Sequence, residues 1–149
     1  MKRLTWGFLF LIFITFSSPA LCSSKLNPLQ IHTQKSIIEY QVELALTPQE
    51  QTQGLMHRRE LPSQHGMLFL FQQPRVARMW MQNTFIPLDM IFFNEEGVVT
   101  FVHHNAKPLD TTIISSPQKV AGVLETNAME AEKYGIQEGT IIDLKTLKY

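Results

Sequence analysis

The stretch Leu88-Asp89-Met90-Ile91-Phe92-Phe93-Asn94-Glu95-Glu96-Gly97-Val98-Val99-Thr100-Phe101-Val102-His103-His104 decides the fold class. Two short runs rich in aromatic and β-branched residues flank a polar segment, Asn94 to Gly97, whose Asn and Gly tolerate the backbone of a tight turn. Runs of this length are strand-sized, so the stretch predicts a β-hairpin. The same signature recurs on both sides of it. Tyr40, Val42, Leu44 and Leu46 fall on one face of a period-two run, with Gln41, Glu43 and Ala45 on the other, the mark of a half-buried strand. Met67 to Phe71, Arg78 to Met81, Lys119 to Leu124 and Thr140 to Leu144 are further short apolar runs bounded by Gly, Pro or Asn. About seven strands predict a mainly β domain, a small barrel or jelly-roll-like sandwich.

Two short helices interrupt the strands. Thr47-Pro48-Gln49-Glu50 is a capping box: the Thr47 oxygen accepts an early N–H, Pro48 loses nothing at the first helical position, and Glu50 reaches back. Gly54 ends that helix. Asn127, Glu130 and Gly135 repeat the pattern as cap, partner and stop. Both helices read as connectors.

Composition sets the boundaries. The chain has 149 residues, 13 basic against 13 acidic side chains, 44% apolar residues and one cysteine. A disulfide framework and an all-thiolate zinc site are excluded within one chain. The charges are unevenly spread. Met1-Lys2-Arg3 is a positive start, Leu4 to Phe16 a largely apolar run, and Ser17 to Ser24 a small, polar exit. That layout is a secretory signal peptide over residues 1–22, with cleavage near Ala20 to Ser23, and the run is short for a span of about 20 residues. An uncleaved anchor is the alternative. Removing the leader leaves 11 basic and 13 acidic side chains, a net charge of −2, and no cysteine. The expectation is a periplasmic or secreted domain at residues 31–149, preceded by a flexible lead-in at 23–30. It has no thiol chemistry, no stable membrane span after processing and no surplus of Lys and Arg for nucleic acid.

No phosphate loop, nucleophile elbow, paired-histidine zinc helix or calcium loop is present, and no cofactor is expected. The densest polar stretch is Arg78-Met79-Trp80-Met81-Gln82-Asn83-Thr84-Phe85-Ile86-Pro87-Leu88-Asp89. In a strand Arg78 and Trp80 share one face while Met79 and Met81 share the other. Trp80 can offer a flat ring to a ligand, with Asn83, Thr84 and Asp89 donating and accepting beside it. The competing reading makes Trp80 a core plug and the others turn formers. Met79, Met81 and His103 form an alternative set for exported copper, because thioethers are soft ligands; filling an irregular core is the commoner use of Met.

Several segments together resemble the domain of unknown function 192 family: Val42-Glu43-Leu44-Ala45, Gly54-Leu55-Met56-His57-Arg58, Leu61-Pro62, Gly66-Met67-Leu68-Phe69, Met79 to Thr84, Pro87 to Phe92 and Val123-Leu124-Glu125. They follow the family's order from Ile31 to Leu144. The resemblance implies a compact, mainly β domain, often behind a signal peptide in prokaryotes, and no established activity. It maps the family's characteristic polar positions onto Arg58, Trp80, Asn83, Thr84, Asp89 and Glu125. One departure stands out: after Asn127-Ala128, where the family usually has Gly, this chain has Met129, which removes the residue a tight turn favours.

Three functions follow as expectations. The first is a non-catalytic exported binding or accessory domain that recognises a small polar or saccharide-like ligand, or a cell-envelope partner, through those six residues. The second is a hydrolase with Asp89 and Glu125 as acid and base, which requires the carboxyls about 5–10 Å apart across a cleft. The third is the copper site.

Overall fold

In the computed structural model, which describes residues 25–147, the Asn94 to Gly97 segment turns back on itself. The Asn94 side chain accepts from the N–H groups of Glu96 and Val98 at 3.2 and 2.9 Å, fixing the turn between β4 (Leu88–Phe93) and β5 (Val99–Ala106). The expected leader and its cleavage site lie outside the described residues. The other strands are β1 (Asn27–His32), β2 (Ile37–Ala45), β3 (His65–Met79), β6 (Ile114–Asn127) and β7 (Ile141–Asp143), and the helices are α1 (Pro48–Gln53) and α2 (Glu130–Tyr134). All seven strands form one sheet in the order β5-β4-β6-β3-β2-β1-β7. Only β2 and β3 pair in parallel, and α1 lies in the crossover that a parallel pair requires.

The sheet curls into a half-barrel whose edges meet at one corner. Val98 bridges Ile141, and the Ile142 N–H donates to the Gly97 carbonyl at 2.8 Å. Gly97 is required there: its φ is +78°, and a Cβ would collide with the Ile142 carbonyl oxygen. Gly97→Ala is therefore expected to lower stability by roughly 1–3 kcal/mol. A urea midpoint unchanged from the parent protein would show that the corner does not hold the curl.

Each face of the sheet carries an apolar cluster. The inner one joins Leu29, Ile31, Tyr40, Val42, Ile91, Val99, Leu124 and Ile142, and so draws on both edges. The second joins Met67, Phe69, Met90, Phe92 and Val123 and is covered by Leu55, after α1, and by Met81 and Ile86, between β3 and β4. Covered on both faces, β4 is buried at all six positions, which explains its nearly unbroken apolar run.

Four expectations are corrected. Residues 27–30, expected in a flexible lead-in, belong to β1, where Leu29 and Ile31 are wholly buried between β2 and β7. Met67 to Phe71 and Arg78 to Met81 are not two strands: β3 runs through to Met79, with register shifts between Leu70 and Arg75 and between Val76 and Arg78. Pro74, which has no N–H to give, sits in the first of these gaps. In β2, Glu43 is buried and Leu46 exposed, because the segment after α1 covers the far face. Finally, α1 carries its capping box as expected, but Asn127 does not cap α2. It ends β6, and its amide donates to the carbonyls of Leu61 and Pro62. The residue before α2 is Met129, held left-handed at φ 72° with no side-chain cap, so the tight turn forms without the glycine.

Candidate functional site

The paired positions of neighbouring strands share a face, and register lines up Glu43, Met67, Glu125 and Met90 across β2, β3, β6 and β4. Glu125 thus projects from β6 into the second cluster, beneath the covering segments. It is 4% exposed. No described group hydrogen-bonds to it or pairs with it. Burial alone pushes its carboxyl up from 4.5 to about 8, because an ion there would lose its hydration without compensation. Around neutral pH it is mostly a neutral acid, with an O–H to donate.

Glu125 is not sealed in. It lines a recess of about 50 Å³ together with the last turn of α1, Gly54 to Met56, Phe69, Arg78 to Trp80 and Thr84. A single water needs roughly 10–15 Å³, so the space suits a few waters or a small chemical group. Gly54 allows the close approach: it has φ +47°, and a Cβ there would lie 3.2 Å from the Phe69 ring and 3.9 Å from the nearer Glu125 oxygen. The cover is fixed by a hydrogen bond between two left-handed residues, the His57 N–H donating to the Asn83 carbonyl at 2.8 Å. Strained backbone of this kind collects at functional sites.

The six family positions divide. Trp80, Thr84 and Glu125 meet at the recess; Trp80 is 44% exposed on its rim, and Thr84 is buried. Asn83 stays outside, exposed, and clamps the cover through its backbone. Arg58 grips Glu43 with both terminal guanidinium nitrogens, at 2.5 and 2.6 Å. One strand, β3, separates that pair from Glu125, which sets them two strand spacings apart, about 10 Å. Asp89 is wholly buried and accepts from the backbone N–H groups of Asn105 and Ala131 at 2.8 and 2.9 Å.

The acid and base pair is not assembled. In the β4–β6 ladder Asp89 stands opposite Thr126 while Glu125 stands opposite Met90, so the two carboxyls project from opposite faces of the sheet. The copper set is not assembled either. Met79 reaches the recess wall, Met81 is sealed in the second cluster, and His103 stands on β5 outside the recess.

Sequence reading left out Arg78 and the Gly54 to Met56 turn. A signal for Arg78 was present, since it shares a strand face with Trp80. The turn carried none beyond its glycine, because its place over Glu125 depends on how the crossover is laid across the sheet.

The chain is 39% identical to a candidate transcription regulator from Sinorhizobium meliloti 1021, whose crystal structure superposes with a TM-score of 0.78 over 79% of this chain and 92% of that one. It is 35% identical to a protein of unknown function from Novosphingobium aromaticivorans DSM 12444, with a TM-score of 0.80 over 83% of this chain and 89% of that one. No curated protein matches it significantly. The curled sheet, its two short helices and a match of residues 29–144 to the model described as Uncharacterized ACR agree, and the chain belongs to the domain of unknown function 192 family.

Proposed function

We propose that this protein is an exported, non-catalytic binding domain that takes a small polar ligand into the recess over Glu125. One observation carries the reading: Glu125 is a buried carboxyl with no partner in the described protein, and its free side opens onto a cleft. An unpaired buried acid lowers stability and is retained where a ligand completes it. Trp80 adds an amphipathic rim, and Thr84 a hydroxyl. Binding rather than turnover is favoured because, among the described residues, Glu125 is the only Asp, Glu, His or Cys lining the recess. Contact with nucleic acid calls for clustered basic side chains, and among the described residues Arg78 is the only basic one in the recess wall. The leader expected at residues 1–22 supports an exported location, periplasmic or secreted, for this binding.

The test is a panel of sugars, polyols and amino acids screened by NMR. Hits are expected to shift the Trp80 indole N–H and the Thr84 amide, and to weaken at least tenfold in Trp80→Ala. Hits that bind Trp80→Ala as tightly as the parent, or a panel that leaves both resonances unmoved, would overturn the reading.

A further inference from the structure

We propose that the recess is a dipolar site for a small zwitterion of the free α-amino acid class, its ammonium group held at Glu125 and its carboxylate at Arg78. This rests on the binding reading above and narrows it. A cation, Arg78, and a buried acid, Glu125, line the same small space, yet no ion pair or hydrogen bond joins them; an ammonium seated against Glu125 favours its ionised form, so the acid releases its proton to solvent as the ligand binds. The fold does pair opposite charges elsewhere on this face, as Arg58 and Glu43 do in bidentate geometry. Arg78 and Glu125 are left open to a ligand that brings both complementary charges.

The inner end favours the cation because Glu125 lies there and the adjoining last turn of α1 carries no basic side chain to compete for it. The outer end favours the anion. Arg78 is exposed, and its planar fork matches a carboxylate with two parallel N–H donors. Trp80 stands next to Arg78 on the rim and can cover the apolar substituent between the two charged groups. A space of about 50 Å³ fits a head group of a few heavy atoms.

Matched probes separate the charges: alanine, alaninamide without the carboxylate, N-acetylalanine without the ammonium, and glucose with neither, each titrated while the Trp80 indole and Thr84 amide are followed by NMR. Alanine is expected to bind, and alaninamide and N-acetylalanine to bind at least tenfold more weakly. Arg78→Gln should erase the difference between alanine and alaninamide, and Glu125→Gln the difference between alanine and N-acetylalanine. Alaninamide or N-acetylalanine binding as well as alanine would overturn the dipolar assignment. Glucose shifting these resonances with alanine silent would overturn it too, while leaving the binding reading standing. Silence from all four, with no hit in the wider panel, would overturn both.

Discussion

Glu125→Gln is expected to stabilise the protein at pH 8.5 by as much as about 5 kcal/mol and to change little at pH 4. The folded-state carboxyl titrates at about 8 against 4.5 when exposed. Between those values the folded state holds a proton that the unfolded state has lost, so stability falls as pH rises through the window and levels off above it. Each unit of displacement corresponds to 1.36 kcal/mol, and the displacement of about 3.5 units sets the upper limit. Glutamine is close to the shape of the protonated acid and does not ionise. Its stability curve should therefore run flat where that of the parent slopes downward. Urea unfolding of both proteins at pH 4, 6 and 8.5 reads this directly, and parallel curves at all three would mean that Glu125 is solvated in the folded state. A gain would also bear on function: a residue whose replacement stabilises the fold is maintained for something other than the fold.

The local features were legible in the sequence where a few adjacent residues fix them. Asn94 to Gly97 specified the hairpin, and Thr47-Pro48-Gln49-Glu50 specified α1 down to its reciprocal hydrogen bonds. Longer-range decisions were not. The Leu29 and Ile31 alternation is too short to mark a strand until β2 and β7 pair with it, and the gap at Pro74 divides β3 into what reads as two strands. The same limit divided the site. Asp89 and Glu125 are both carboxylates in apolar strands, and nothing local distinguishes them. A one-residue change of register exchanges the faces of a strand, so only the pairing of Asp89 with Thr126 and of Met90 with Glu125 sends one carboxyl to the backbone and the other to the recess.

Asp89→Ala is expected to have the opposite effect, a loss of about 2–4 kcal/mol, as for removing the acceptor from buried backbone donors. Between Leu88 and Met90 the β4–β5 ladder slips, with Leu88 opposite Ala106 and Met90 opposite His103, which leaves an extra residue on β5. Asn105, left-handed at φ 52°, falls in that bulge, and one Asp89 oxygen accepts its N–H. The other oxygen accepts the N–H of Ala131 in the first turn of α2, supplying from a distant strand the cap that Met129 lacks. Alanine would leave the buried Ala131 N–H unpaired, at roughly 1–3 kcal/mol, and release the part-buried N–H of Asn105 at a smaller cost. Asp89→Asn keeps the shape but turns an amide N–H₂ toward one of the two donors, so about half the loss is expected. Hydrogen exchange gives a finer measure: the amides of Asn105 and Ala131 should lose protection before the rest of the sheet. Because Asp89 faces away from the recess, Asp89→Asn should leave ligand-induced shifts at Trp80 and Thr84 intact. If those shifts vanish while stability and protection hold, Asp89 belongs to the site after all, and the opposite-face assignment of the two carboxyls is wrong.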